Sequence, residues 1–324
     1  MALIDVCNGD ADGLFALVQL RLAEPAAARL VTGLKHDIGL LDRVSAGAGD
    51  EVLVCDLSMR RNAPALARLL AAGARVRYFD HHESGAVPDH PALEAHIDLS
   101  AQTCTSLIVD HYLRGRFGAW AAAAAWGDNL AESAQRVADR LRLGDEERAS
   151  LRMLGEAVNY NAYGETLADP LMPPEPLFHL LARYADPLEA WASEPVLERM
   201  AQRRELDLAQ AHAISTMLSD DRVRLWVLPD AAWSRRVLGP FANRMAAEDP
   251  DRAHAVARMR GAAHFDISVR APLRRRSGAD QLCRAFGGGG RAAAGAIDGL
   301  SAEAFERFVV AFRQMQWGEP PATA

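Results

Sequence analysis

The fold of this chain is decided by its first predicted strand, turn and helix, ALIDVCNGDADGLFALVQLRL at residues 2–22. Residues 2–8 are apolar and suit a short buried strand, and residues 9–13 are typical of a turn. The apolar positions of residues 14–22 then recur at the spacing of a helix that packs on a sheet. This unit predicts an α/β domain.

The same alternation continues along the chain. The segment EVLVCDL (51–57) predicts a second buried strand, and a helix follows at 63–72, which Gly73 closes. The segment RVRYF (75–79) predicts a third strand. Strands that alternate with helices predict a parallel, doubly wound sheet. From 103 to 159 the pattern is mostly helical.

The second half of the chain predicts a connector and a smaller domain. Residues 187–218 read as helix with a break at Pro195, and further strands and a helix are predicted at 224–228, 253–259, 265–270 and 279–286. The fold class is therefore α/β: a doubly wound parallel sheet in an N-terminal domain, a helical connector and a smaller C-terminal αβ domain. Their predicted bounds are 1–190, 191–220 and 221–318. Residues 319–324 look like a frayed tail.

Composition limits the class of protein. The 324 residues are enough for about two domains. No stretch reaches the roughly 18 consecutive apolar residues of a membrane span, and Asp5, Asp10 and Asp12 fall where a signal peptide would be apolar. We therefore expect a cytoplasmic protein. The four cysteines form no C-x-x-C pair, which predicts buried reduced thiols rather than a zinc site.

Charge is unevenly distributed. The net charge of −7 argues against a protein that coats long nucleic acid. Residues 252–291 nevertheless contain nine arginines against two aspartates. A local basic patch on an acidic body suits metal binding in one place and phosphate binding in another. A solvated arginine face explains the same count, so charge alone leaves both interpretations open.

Acidic residues and histidines follow the three predicted strands at their carboxyl ends. They are Asp10, Asp12, Asp56, Asp80, His81 and His82. Ligand sites of open α/β sheets lie at that edge, so these side chains should converge. Converging carboxylates repel one another unless a cation neutralises them, and histidine with carboxylate suits a manganese-type ion. Two such ions can clamp a phosphate and lower the pKa of water, which points to phosphate ester hydrolysis.

These segments resemble a known family. NGDADG (8–13), CDLS (55–58), DHHES (80–84) and WGDNL (126–130) are similar to the four motifs of the DHH phosphoesterases. Downstream, ISVRAP (267–272) and FGGGGRAAAGA (286–296) resemble the DHH-associated substrate domain. The resemblance runs from residue 8 to about residue 296, and the order of the motifs makes it specific.

The resemblance implies a role for each matching residue. The implied metal ligands, for two Mn²⁺ ions with Mg²⁺ as the alternative, are Asp10, Asp12, Asp56, His81 and Asp128. Asp56 would bridge both ions, and a metal-bound hydroxide would be the nucleophile. The implied catalytic residues are His82, which would contact the scissile phosphate, and Asp80, which would orient His81. The implied substrate-binding residues are Arg270, Gly287, Gly288, Gly289, Gly290 and Arg291.

Two positions depart from the family pattern. Asn8 stands where the first motif usually opens with histidine, so the first metal site would be looser or use water. Arg291 stands where a histidine usually follows the glycines, and its guanidinium is a good phosphate donor. The glycines precede a predicted helix start at Ala292, which favours an anion held by backbone amides over a flexible hinge.

Two further segments have open interpretations. Thr103, Thr105 and Ser106 precede a predicted helix, where N-capping is favoured over a contact with substrate. A predicted polar aromatic loop could stack on a base or pack as an ordinary loop, and it contains Asn159, Tyr160, Asn161 and Tyr163.

The sequence thus favours a metal-dependent phosphoesterase acting on phosphodiester or phosphomonoester bonds of short oligoribonucleotides or small nucleotides, as in the nanoRNase-like branch of the family. Its close rivals are a 3′,5′-bisphosphate nucleotide phosphatase and a linear dinucleotide phosphodiesterase. A nucleotide-binding module without activity is the non-enzymatic alternative, supported by Asn8 alone. The expected partner is a small nucleotide or short RNA, not a membrane or long duplex, with a homodimer as a further option.

Overall fold

A computed structural model describes residues 1–318 of the chain, so the predicted tail lies outside the described residues. The chain forms two compact units, Met1–Gln202 and a second unit that begins at Arg203. The division falls inside one long helix, Pro195–His212. That helix begins at the predicted break at Pro195 and makes up most of the predicted connector.

The first unit contains a five-stranded sheet in which every strand is parallel to its neighbours. The strands are β1 (Leu3–Asn8), β2 (Arg29–Gly33), β3 (Glu51–Cys55), β4 (Arg75–Asp80) and β5 (Leu93–Ile97). Their order across the sheet is β2-β1-β3-β4-β5. The predicted parallel, doubly wound sheet is confirmed, and β2 and β5 are additions that the sequence did not predict.

Helices cover both faces of this sheet. The helices that begin in this unit, some on the sheet and some on other helices, are α1 (Ala11–Ala23), α2 (Ala63–Ala71), α3 (Thr105–Tyr112), α4 (Gly118–Gly127), α5 (Ala131–Arg140), α6 (Asp145–Asn161), α7 (Pro174–Leu181), α8 (Pro187–Ser193) and α9 (Pro195–His212). One core packs Phe15 and Trp120 against Cys55 and Phe79. Alternate strand residues such as Tyr78 form a separate core with α2. Burial on both faces explains why the strands are continuous apolar runs.

The second unit contains a mixed six-stranded sheet. Its strands are β6 (Leu218–Ser219), β7 (Val223–Leu228), β8 (Ala253–Arg260), β9 (His264–Arg270), β10 (Gly289–Arg291) and β11 (Ala294–Ser301). Its helices are α10 (Ala232–Glu248), α11 (Ala279–Ala285) and α12 (Ala302–Gln314). The strand order is β10-β11-β9-β8-β7-β6. The predicted strands at 224–228, 253–259 and 265–270 and the helix at 279–286 are confirmed.

The predicted helix start at Ala292 is wrong. Ala292 and Ala293 form the turn between β10 and β11, and β11 pairs antiparallel with β9. Pairing with an existing sheet overrides the helix propensity of the alanines. The glycines before Ala292 allow the two strands of this hairpin to approach closely. A Cβ on Gly288 would lie 2.1 Å from the Ala296 carbonyl oxygen. Gly290 has a φ of 142°, in the region that favours glycine.

The four cysteines are buried and form no disulfide, as predicted. None of the helices within residues 1–318 has both the length and the apolar character that a membrane crossing needs.

Candidate metal centre

The candidate site lies at the carboxyl end of the parallel sheet. Asp10 and Asp12 follow β1, Asp56 follows β3, and Asp80 ends β4 just before His81 and His82. In the order β2-β1-β3-β4-β5, the chain leaves β1 toward one edge of the sheet and leaves β3 toward the other edge. Ligands of such sheets bind where this direction reverses, which here is between β1 and β3. The topology therefore brings together residues that are distant in sequence.

Asp56 is at the centre of the cluster. One of its carboxylate oxygens, Oδ1, lies 3.5 Å from His81 Nε2 and 3.7 Å from His82 Nδ1. Candidate ligand atoms of these three residues all lie within 4.8 Å of one another. The backbone of Asp56 is left-handed, with a φ of 59°, a conformation that aspartate tolerates better than most residues. This local bend follows directly from β3, at the edge where the ligands meet.

Asp12 joins the cluster to α3. Its two carboxylate oxygens accept hydrogen bonds from the backbone N–H groups of Thr105 (2.7 Å) and Ser106 (2.8 Å), and one of them lies 3.8 Å from His81 Nε2. Cys104 at the N-cap position makes no capping bond through its side chain. Asp12 therefore satisfies the first amides of α3, while the Thr105 hydroxyl donates to Asp56 at 3.1 Å. The predicted N-capping by the hydroxyls of this segment is not what the structure contains.

The two histidines are held in different ways. His81 Nδ1 lies 3.0 Å from the Thr103 carbonyl oxygen, so it carries the proton, and Nε2 presents a lone pair to Asp12 and Asp56. His82 Nδ1 lies 2.8 Å from Asp80 Oδ1. The expectation that Asp80 orients His81 is therefore wrong, since Asp80 pairs with His82 and a backbone carbonyl orients His81.

The carboxylates raise each other's pKa. Burial first, and then the charges of Asp12, Asp10, Asp80 and Asp128, raise the pKa of Asp56 well above its usual range. The pKa of Asp128, the residue after α4, is also raised, by burial against the opposing attraction of Lys35 and His81. Asp128 thus shares the field of the cluster, and its role as a metal ligand stays a prediction. Such a group of acids is stable in its ionised form only beside a cation.

His82 has the opposite electrostatic character. Burial acts to lower its pKa, but the hydrogen bond and charge of Asp80, with the charges of Asp128 and Asp12, outweigh that effect and raise it. Its side chain is 43% exposed, whereas that of His81 is 3% exposed. His82 is therefore the member of the pair suited to meet a substrate as a cation.

Sequence reasoning missed Lys35. Its ammonium lies 2.5 Å from Asp10 Oδ2 and 2.8 Å from Asn159 Oδ1. Burial acts to raise the pKa of Asp10, but the charge and hydrogen bond of Lys35 outweigh it, so that pKa is lowered. The available signal was composition, since Lys35 is the only lysine in the chain. Lysine differs from arginine in being a compact point charge, so the single lysine was a position to examine.

Asn8 does not present its side chain as a ligand. Its amide oxygen accepts from the Asp10 backbone N–H at 3.2 Å, and its amide nitrogen donates to the Lys35 carbonyl oxygen at 3.2 Å. Both ends of the amide therefore support the turn after β1 and the segment after β2.

The donor set fits a divalent cation. The side chains offer carboxylate oxygens and one neutral imidazole nitrogen, which are suitable ligands for Mn²⁺ and, on the oxygen side, for Mg²⁺. Within residues 1–318, Asp80 Oδ2 is buried and has no hydrogen-bond partner. A buried carboxylate oxygen without a partner is costly unless positive charge lies nearby. The chemistry and the burial therefore both favour a bound cation.

The predicted substrate-binding residues lie in the second unit. Arg270 is at the end of β9, and its guanidinium donates to Asn243 Oδ1 (2.5 Å), Ser268 Oγ (2.9 Å) and the Val269 carbonyl oxygen (2.9 Å). Arg291 is exposed on β10, on the same rung of the sheet as Arg270, with Ala294 between them. Gly287 and Gly289 have nothing within 4 Å of a hypothetical Cβ, whereas Gly288 and Gly290 are closely packed.

The predicted basic patch is partly neutralised, since five of its nine arginines pair with aspartates. Arg258 is buried and pairs with Asp266, and it lies 3.6 Å from Asp230. Ion pairs with aspartates also involve four further arginines of the segment, Arg252, Arg260, Arg274 and Arg284. Counting charges over residues 252–291 missed partners such as Asp230, which lie elsewhere in the sequence.

No protein-family model matches the sequence, and no curated protein matches it. Solved structures do. A DHH-domain protein described as a member of the s1p family of ribosomal proteins is 14% identical, with a TM-score of 0.69 over 97% of this chain and 86% of that one. Exonuclease RecJ bound to manganese is 19% identical, with a TM-score of 0.60 over 98% and 91%. The pGpG-specific phosphodiesterase PggH from Vibrio cholerae is 15% identical, with a TM-score of 0.54 over 96% and 97%.

These matches extend over nearly the whole chain and over most of each solved structure. The chain therefore has the fold of these DHH-domain proteins.

Proposed function

We propose that this protein is a metal-dependent phosphoesterase that hydrolyses phosphodiester bonds of short oligoribonucleotides. The observation that carries the proposal is the cluster of buried acids around Asp56, His81 and His82 at the carboxyl end of the sheet. Carboxylates that raise each other's pKa destabilise the folded protein. Such an arrangement is typical of a functional site. A divalent cation removes the repulsion and makes the cluster useful.

His81 and Asp56 would hold the cation, with Asp12 and Asp128 beside them. A divalent cation at this place would neutralise phosphate charge and lower the pKa of an attacking water molecule. The backbone carbonyl of Thr103 keeps the proton of His81 on Nδ1, so that Nε2 points toward the acids. The hydrogen bond from Thr105 orients the Asp56 carboxylate.

His82 would act on the substrate. Asp80 accepts the Nδ1 proton of His82 and favours the imidazolium. Nε2–H is then the group that can donate to an oxygen of the scissile phosphate, and the exposure of this ring gives a substrate access to it. Asn8 is a structural residue in the turn after β1 and supplies no ligand, so the hydrolysis panel also decides between this enzyme and the inactive nucleotide-binding module.

Short RNA is favoured over long nucleic acid by the acidic body of the chain, whose net charge is −7. RecJ, an exonuclease bound to manganese, and PggH, a phosphodiesterase specific for pGpG, share the fold and support both the metal and a nucleotide substrate. The 3′,5′-bisphosphate nucleotide phosphatase and the linear dinucleotide phosphodiesterase are the rivals that a substrate panel must separate.

The test is a hydrolysis panel with Mn²⁺ and with Mg²⁺. The substrates are a five-residue RNA, a linear dinucleotide, a 3′,5′-bisphosphate nucleotide and inorganic pyrophosphate. We expect the RNA to be shortened and the reaction to stop with a chelator. Faster release of inorganic phosphate from the bisphosphate nucleotide would replace the proposal by the phosphatase. Hydrolysis of pyrophosphate alone would contradict a nucleotide substrate.

A further inference from the structure

Lys35 is held in the candidate site from several directions. Its backbone N–H donates to the Ala162 carbonyl oxygen at 3.0 Å, and its own carbonyl accepts from the Asn8 side chain. Its ammonium reaches Asp10 and Asn159, and it lies 5.6 Å from the centre of the Tyr163 ring. The residue therefore has little freedom to turn away from the acids.

Asp10 has its carboxylate occupied by donors of the chain itself. Its Oδ1 accepts from the backbone N–H groups of Asp12 (3.0 Å) and Gly13 (3.1 Å), which makes it the N-cap of α1. Its Oδ2 accepts from Lys35. Asp10 is thus neutralised without an ion, whereas Asp56 has acids and histidines as its neighbours.

The cluster therefore has two sides of different chemistry. On one side, Asp56, His81 and His82 present ligand atoms within 4.8 Å of one another. On the other side, an ammonium already lies against the acid that follows β1. A divalent ion placed beside that ammonium would be repelled by it, because two cations a few ångströms apart repel strongly where water is scarce.

We propose that the Lys35 ammonium takes the place of one of the two divalent ions expected from the sequence, so that the loaded site holds a single ion near Asp56 and His81. This inference rests on the proposed function, which supplies the ion. Lys35 is then a positioning residue with a fixed charge, and Asp10 is its partner rather than a metal ligand. Asn159 and Tyr163 keep the ammonium in place instead of stacking on a base.

The experiment counts manganese on the full chain. Wild-type protein, Lys35→Met, Lys35→Arg and Asp10→Asn are equilibrated with MnCl₂, and bound Mn²⁺ is measured by equilibrium dialysis with elemental analysis and by the EPR signal of coupled Mn²⁺ pairs. Arg43→Met serves as the matched control, since Arg43 pairs with Asp37 at 3.1 Å outside the cluster.

We expect one Mn²⁺ per chain for the wild type, Lys35→Arg, Asp10→Asn and Arg43→Met, without a pair signal. Lys35→Met frees Asp10 and is expected to bind two ions with a pair signal. Asp10→Asn keeps the test decisive if Lys35→Met does not fold, because loss of manganese from this variant would make Asp10 a ligand and overturn the inference.

The remaining outcomes also decide between the role of Lys35 and its alternatives. Two ions on the wild type, or one ion on a folded Lys35→Met variant, overturn the role of Lys35 and leave the proposed function standing. A wild-type protein that binds no manganese overturns both the role of Lys35 and the proposed function. This outcome differs from the preceding ones because the hydrolysis panel then shows no metal-dependent activity.

Discussion

The two units of the chain use their charged side chains in opposite ways. In the first, buried acids gather at one edge of the sheet, where Lys35 lies against Asp10 and the two histidines lie near Asp56. In the second, arginines and aspartates are matched, as in the buried pair of Arg258 and Asp266.

The difference shows which charges stabilise the fold and which are available for chemistry. A buried arginine that faces an aspartate has its charge compensated, so removing one partner leaves the other uncompensated. An acid among other acids is destabilised in its ionised form by their charges, and a bound cation would compensate this repulsion. Unmatched charge, rather than the number of charges, therefore identifies the site.

The largest effect is expected at Asp56. We predict that Asp56→Asn lowers hydrolysis of short RNA by more than about 100-fold, because even groups that only orient metal ligands are worth about 10- to 100-fold. Bound Mn²⁺, measured by elemental analysis, should fall with it. Full activity with full metal content would exclude Asp56 from the site.

The same substitution should stabilise the metal-free protein. Asparagine cannot take up the charge that is costly among these acids, and it tolerates the left-handed backbone at this position. A gain of 1 kcal/mol raises the melting temperature of a unit of this size by about 2–4 °C. Calorimetry in a chelator measures the change, and a lower melting temperature would mean that the crowded acids are not a cost. The exposed Asp42→Asn should leave it unaltered.

His82 should separate chemistry from metal binding. We predict that His82→Ala lowers turnover by about 10²- to 10⁴-fold, the usual worth of a positioned proton donor, with its metal content unchanged. His81→Ala should instead lose metal, because the lone pair of its Nε2 faces Asp12 and Asp56. Equal loss of metal in both variants would remove the distinction between the two histidines.

Arg258 tests the matched charges of the second unit. We predict that Arg258→Met lowers the free energy of unfolding by about 3–5 kcal/mol, because Asp266 would be left without its buried partner. Urea unfolding measures the loss, and Mn²⁺ binding by the folded variant should be unchanged. Arg260 is 56% exposed, so Arg260→Ala should cost less than about 0.5 kcal/mol.

The smallest effect is expected at Arg291. Loss of one charged hydrogen bond to phosphate costs about 1.5–3 kcal/mol, so Arg291→Ala should raise the KM for short RNA at least about tenfold. Metal content and hydrolysis of an ester without a nucleoside should stay the same. Arg284→Ala, which removes an exposed ion pair with Asp280, is the control. An unchanged KM would leave Arg291 as a solvated side chain.

Much of the first unit could be predicted from its sequence. The strands before Asp10, Asp56 and Asp80 are apolar because both faces of the sheet are buried, and an acid at the end of each is visible as a break in that pattern. β2 and β5 escaped prediction because most of their positions are partly or fully exposed, so neither forms a continuous apolar run as β3 does. Neither strand carries one of the predicted metal ligands.

Other features could not be predicted because they depend on contacts distant in sequence. Lys35 meets Asn159 across 124 residues, and no local pattern connects them. The hairpin of β10 and β11 was missed because its alanines favour a helix in isolation, whereas pairing with β9 and β10 holds Ala294 and Ala296 in a strand. One local contact also escaped prediction: Asp80 contacts His82, two residues away, through a rotamer that sequence spacing does not determine.

The contact between Asp12 and the start of α3 gives the site two natural spectroscopic reporters. The amide protons of Thr105 and Ser106 point at the Asp12 carboxylate, 93 and 94 residues earlier in the chain. Their chemical shifts depend on the charge density of those two oxygens, and their exchange with solvent requires the contact to open. The state of the cluster can therefore be followed from the backbone of a helix, with no probe attached to any residue of the site.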